Sequence, residues 1–196
     1  LDAIPVAALT PDERIDHRIV SGLIEAWLLD LDTNKSWQKN LMVYAAAVSD
    51  GVHNLMTMES SPADVRARRI IAKLRGVPML LQAARTNISA SPRVMAERGV
   101  RMLTGASGML TTDVPLAFAA LDDPILKGGL LAATTSAASE IDGFIRWFEQ
   151  ERLPSADAAF AVGKVGVEAR YRAEELFDVP VETLLAIGER ELAANE

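Results

Sequence analysis

The sequence predicts an all-α protein, an irregular multi-helix bundle of about seven to nine helices, on three observations. Apolar residues recur every three or four positions along most of the chain. Strand-like alternation is missing, and the breaks fall on proline and glycine signals that start or stop helices. The 196 residues are 49% hydrophobic and 24% charged, the composition of an ordinary globular domain. They read as a single helical domain, 1–196, with two small domains as the outer limit.

Four dipeptides punctuate the chain alike: Thr10-Pro11, Ser61-Pro62, Ser91-Pro92 and Asp123-Pro124. Each predicts a helix start. A side-chain oxygen at the cap accepts from an orphan N–H, and proline at the next position gives up only a donor that had no partner there. Thr10-Pro11-Asp12-Glu13 adds a capping box, with Glu13 reaching back to the cap amide. From there Ile15, Ile19, Leu23, Trp27 and Leu31 step by four until Asp32-Thr33-Asn34-Lys35 breaks the pattern. A second helix is expected over about Leu41 to Met58. A third, from Pro62, carries Ala67, Ile70, Ile71, Leu74 and Val77 on one face.

Gly76-Val77-Pro78 should kink or interrupt that helix before Met79 to Ile88, because the residue before proline is pushed out of the helical region. The segment from Pro92 repeats the period through Leu110, and Asp113-Val114-Pro115 is expected to end it. Pro124 to Arg152 closes on Ile141, Phe144, Ile145 and Phe148, spaced i, i+3, i+4 and i+7. Two shorter helices follow, about Gly163 to Leu176 and Pro180 to Ala194. The segments from 62, 92 and 124 share only their start signal, which argues against a solenoid.

Nine glycines, Gly22 and Gly99 among them, fall inside helical patterns, where each costs about 0.5–1 kcal/mol relative to alanine. Close approach between helices is one account. A face that packs on further chain is another.

The charge of −7 argues against a phosphate-backbone binder. It is unevenly spread: 4 basic and 9 acidic side chains over 1–63, 9 and 2 over 64–101, 7 and 16 over 102–196. The basic stretch 64–101 has no interleaved aromatics for stacking bases, so nucleic acid is not an expected partner. It reads as a solvated helix face paired with the acidic flanks. The longest apolar run, Leu41 to Val48, is eight residues, too short to span a bilayer.

Chemistry is scarce. With no cysteine, thiol nucleophiles and thiolate metal sites are excluded, while the compartment, cytoplasm or export, is not assigned by that count. Glu13 and His17 are four apart with no second copy, unlike the Glu and His three apart that helical di-metal sites take from two helices. His53 sits mid-pattern in an apolar helix without an accompanying nucleophile motif. Asp30-Leu31-Asp32 reads as a helix end and Asp122-Asp123 as a cap. Phosphate loops, Gly-x-Ser-x-Gly and His-Glu-x-x-His are absent. No catalytic, cofactor-binding or metal-binding residue is therefore assigned.

One ordered string of features does carry a family likeness. Leu9-Thr10-Pro11-Asp12-Glu13-Arg14-Ile15-Asp16, then Trp37-Gln38-Lys39-Asn40 with Tyr44, precede Arg69 to Leu74 and Val77-Pro78-Met79-Leu80-Leu81-Gln82-Ala83-Ala84-Arg85-Thr86-Asn87-Ile88. Phe160-Ala161-Val162-Gly163, Tyr171 and Leu184 to Leu192 complete it. Together these resemble the amino-terminal part of the bacterial domain of unknown function 885 family, with Leu41 standing where that pattern has proline.

The resemblance implies a longer, largely helical protein that looks like a zinc metallopeptidase, with a His-Glu-x-x-Pro-Gly-His type segment in its carboxy-terminal half. No such residues occur in this chain. Zinc and a peptide substrate would belong to the full-length protein, and this chain's partner would be its missing carboxy-terminal part. The start at Leu1 and a helical pattern running to Glu196 give the same expectation of a fragment. By that analogy the chain walls or covers a cleft. The alternatives are a stand-alone helical protein-interaction module and a small-ligand binder with a pocket between helices.

Overall fold

The computed structural model describes residues 1, 3–58 and 60–195. Among them there is no strand, and eight helices run eleven residues or longer, an all-α multi-helix fold as expected. The chain divides into two compact units, residues 37–160 and residues 1–36 with 161–196.

The larger unit contains α3 (Leu41–Thr57), α4 (Ala63–Leu74), α5 (Val77–Asn87), α6 (Arg93–Gly108), α7 (Val114–Ala117) and α8 (Pro124–Glu151). The one-turn helix α2 (Ser36–Lys39) leads into it. Helix α8 runs along α4, α5 and α6, and α3 packs on α4, α5 and α6 from the other side of the core. The predicted α8 stripe is the centre of that core: Ile141, Phe144 and Phe148 are fully buried. Each such side chain contributes about 1.5–3 kcal/mol of burial.

Helix α3 begins at Leu41, with Asn40 as its cap accepting from the Met42 N–H at 3.0 Å. Leu41 therefore occupies the first helical position, where a proline would also fit. It is fully buried, and it lies so close to α6 that a Cβ on Gly99 would meet the Leu41 Cβ at 2.6 Å. Close approach thus explains Gly99. Gly105, Gly108 and Gly128 face open space, and their cost has no packing return.

Two of the four predicted caps form. Thr10 accepts from the Glu13 N–H, and Asp123 accepts from the N–H groups of Ile125 and Leu126. At the two serines the helix starts one residue later, at Ala63 and Arg93, so proline takes the cap position and offers no side-chain oxygen. The serines are used across the fold instead. The Ser61 carbonyl accepts from Arg66 Nε, and Ser91 Oγ donates to the Lys39 carbonyl at 2.6 Å.

The expected break at Asp113-Val114-Pro115 is also displaced. A π turn over Met109–Asp113 carries the winding on into α7. The wider turn lets the chain pass Pro115, which has no N–H to return to the preceding turn. The expected interruption is present but falls at Arg75-Gly76: α5 begins at Val77, two residues before the predicted Met79, because Pro78 sits in its first turn, where a missing N–H and the proline ring are tolerated.

The smaller unit holds α1 (Pro11–Leu28), α9 (Gly163–Glu174) and α10 (Val181–Asn195). Helix α1 ends at Leu28 and widens into a π turn over Leu29–Asn34, which Lys35 terminates in the left-handed conformation at φ +50°. It packs on α9 through Gly22, whose Cα lies so close that an added Cβ would sit 2.6 Å from the Ala173 carbonyl oxygen. Among the described helical residues of this unit, only Gly22 and Ala173 are buried. The periodic stripe of α1 is at the surface, with Ile15 59%, Ile19 45%, Leu23 47% and Trp27 65% exposed.

Candidate functional site

The acidic start of α1 is built for capping. Thr10 N–H and Thr10 Oγ1 both donate to Glu13 Oε2 at 2.8 Å, and the Glu13 N–H returns to Thr10 Oγ1 at 3.4 Å. The Thr10 backbone N–H, then its hydroxyl, hold the Glu13 carboxyl below its usual range. One turn on, His17 is half-buried; its Nδ1 lies 3.5 Å from Ser21 Oγ, and its buried Nε2 has no hydrogen-bond partner among the described residues. It lines a shallow, largely apolar groove of about 240 Å³ with Leu9, Glu13 and Val20.

The other sequence candidates are dispersed. His53 is exposed on α3, where its carbonyl accepts from Thr57 Oγ1. Asp30 accepts from Ser36 Oγ, and Asp123 caps α8 while facing Arg68 at 3.7 Å. Among the described residues no three His, Asp or Glu side chains gather in a metal-holding group.

Two further grooves lie in the smaller unit. One of about 400 Å³ is lined by Val162, Val167, Tyr171 and Glu175, the other of about 320 Å³ by Leu23, Trp27, Leu29 and Asp30. Arg170 and Glu174 line both. Arg170 Nε lies 2.9 Å from each Glu174 oxygen, and that bond raises the Arg170 pKa above its ordinary value. Arg170 and Glu174 satisfy each other, and Leu23 and Trp27 stand beside them in the second groove.

The basic stretch 64–101 behaves only partly as expected. Among the described residues Arg68 is its one member paired with an acidic flank. Arg66 is buried and donates to the carbonyls of Ser61, Leu55 and Met56 at 2.9–3.1 Å, with its guanidinium 5.3 Å from the Phe118 ring centre. It thereby satisfies carbonyls in the last turn of α3 that have no intrahelical donor. Arg85 stacks on Trp147. Sequence reading missed both, since neither partnership is periodic; the i, i+4 spacing of Arg170 and Glu174 was the one legible signal.

Fold and surface together define an all-α protein that presents grooves and an apolar helix face. The chain belongs to the family described as "Bacterial protein of unknown function (DUF885)", whose sequence model matches residues 1–196. A solved structure of "a putative lipoprotein of unknown function" from Shewanella oneidensis is similar, with a TM-score of 0.82 at 21% identity over 97% of this chain. The match covers 35% of that protein, so this chain spans about a third of its structural neighbour's length. No curated protein matches the chain. No helix among the described residues is long and apolar enough to cross a membrane.

Proposed function

We propose that this chain is the helical amino-terminal portion of a longer protein, non-catalytic in itself, that walls or covers a cleft completed by a carboxy-terminal part. The observation that carries the reading is the exposed stripe of α1. Ile15, Ile19, Leu23 and Trp27 lie on one face at four-residue spacing, all more than 40% exposed. A contiguous apolar face of that kind is uncommon on a finished surface and marks a place where more protein sits. A structural neighbour nearly three times as long supplies the room for such a part.

The reading extends to the whole protein as a zinc-dependent peptidase, on the family resemblance alone. This chain's own residues do not fit a zinc site: His17 and His53 belong to different units, and among the described residues no three His, Asp or Glu side chains form a ligand group around either. Any zinc would be held by residues outside the chain, where it would lower the pKa of a bound water for attack on a peptide carbonyl. The contribution of residues 1–196 would be shape and apolar contact.

Expression of this chain with and without the continuation of its reading frame tests the proposal. Hydrogen exchange along α1 and binding of a hydrophobic dye should both fall in the longer protein, and peptide hydrolysis should appear only there. Chelator-sensitive hydrolysis by the 196-residue chain alone would overturn it. A stop codon directly after Glu196 would favour the second reading, a stand-alone interaction module using the same face.

A further inference from the structure

We propose that Arg85, Trp147 and Arg152 form a binding site for a carboxylate. This goes beyond the wall reading and does not depend on it, because all three residues lie in the larger unit. Helix α5 presents Arg85 to α8, where its guanidinium carbon sits 4.3 Å from the Trp147 ring centre and 5.4 Å from that of Phe144. The two rings are themselves 5.4 Å apart and tilted by 52°, so Arg85 rests against an aromatic corner. Arg152, the residue that closes α8, brings a second guanidinium to within 5.5 Å of the same indole.

Among the described residues, neither arginine has a carboxylate within ion-pair distance or a hydrogen-bond acceptor for its side chain. Arg66, Arg93 and Arg172 are engaged with carbonyls, Glu97 and Asp178. Arg75, Arg98, Arg101 and Arg146 share the lack of a partner, but among the described residues only Arg85 and Arg152 combine it with an aromatic face, and they share the same one. An aromatic face fixes the position of a guanidinium while leaving its N–H donors unspent. Two such groups over one ring are no more than about 10 Å apart, within about one screening length of each other, and repel.

An oxyanion bridging the forks would relieve that repulsion. A carboxylate matches the planar guanidinium fork and suits the apolar surroundings. Next to Arg152, a depression of about 20 Å³ between residues 88–91 and 152–156 offers Ser89 and Ser155 beside Phe148, room for about one water-sized group. The hydrogen bond from the Ala158 N–H to the Ser91 carbonyl ties the two rims together. The ligand class is therefore a carboxylate, as a small free acid or as a peptide's carboxyl end.

The test uses the 196-residue chain and follows the arginine Nε–H and tryptophan indole N–H resonances by NMR, assigned with Arg85→Lys and Arg152→Lys. N-acetylalanine should shift Arg85, Arg152 and Trp147 along one saturable curve, and N-acetylalanine amide should not. Acetyl-tetraalanine distinguishes the sources: an equal affinity means that the carboxylate alone is read, a higher one that a peptide chain is read with it. Arg85→Lys keeps the charge but loses the fork, and should weaken binding at least tenfold. Equal shifts from the amide, an unchanged affinity in Arg85→Lys, or shifts from inorganic phosphate but not from N-acetylalanine would overturn the proposal. The acid–amide contrast in the unmodified chain stands even if a variant misfolds.

Discussion

Replacing Gly99 by alanine and Gly105 by alanine makes the same chemical change on the same helix, and the structure predicts opposite outcomes. Both substitutions gain up to about 1 kcal/mol of helix propensity. At Gly105 nothing lies within 4 Å of the added methyl, so the gain is kept. At Gly99 the methyl would meet Leu41 Cβ at 2.6 Å and Cγ at 2.7 Å. These atoms are close to the backbone of a fully buried residue, so relief requires α3 and α6 to separate. Overpacking of this kind costs about 1–3 kcal/mol, and the depth of the overlap places it near the upper end. The net expectation is a loss of about 2 kcal/mol for Gly99→Ala against a gain of about 0.5–1 kcal/mol for Gly105→Ala. For a chain of this size that is a fall of about 4–8 °C in Tm against a rise of about 1–4 °C. Thermal melts followed by circular dichroism at 222 nm measure both. If Gly99→Ala melts at or above the parent temperature, α3 and α6 do not approach as described.

Arg66→Met keeps length and apolar contact while leaving the carbonyls of Leu55, Met56 and Ser61 without their donor. Hydrogen bonds to a charged group carry about 1.5–3 kcal/mol each before desolvation is subtracted, so a loss of about 2–4 kcal/mol is expected by urea denaturation, with faster hydrogen exchange at the end of α3. A variant within about 0.5 kcal/mol of the parent would show that the buried charge gains nothing from these carbonyls. At the start of α1, the Glu13 carboxyl is held below its ordinary value of 4.5 by the Thr10 N–H and hydroxyl. A depressed pKa means that the cap's contribution is complete above the unfolded value and disappears as pH falls through the lower folded one. Carbon-13 titration of Glu13 should give a midpoint below 4.5, and Thr10→Ala should raise it; a Glu13 midpoint at or above 4.5 would contradict the capping box.

Local signals were legible wherever a residue's partner lies within a turn or two of the chain. The capping box at Thr10 and Glu13, the Asp123 cap and the α8 stripe all form as the sequence predicts, and the interruption before Pro78 forms at Arg75-Gly76. Ser61 and Ser91 carry the same cap signal and do not cap, because their hydroxyls are held in other bonds, Ser61 Oγ accepting from Arg69 and Ser91 Oγ donating to the Lys39 carbonyl. A pattern of residue types fixes what a side chain can bond, and competition in space decides which bond it makes.

The α1 stripe makes the same point for packing. Its period established an amphipathic helix, and period is a property of one helix alone. Whether the face is covered depends on a second surface, and the described residues leave Ile15, Ile19, Leu23 and Trp27 exposed. Likewise, the helical glycines were visible as costs, but only the meeting of α3 with α6 and of α1 with α9 separated Gly99 and Gly22 from Gly105 and Gly108. The sequence by itself determined an all-α chain, the places where most of its helices start, and the absence of cysteine. Tertiary structure alone decided which apolar faces became core and brought Arg85 and Arg152 to one indole, because such contacts join residues far apart in the chain and leave no periodic trace in it.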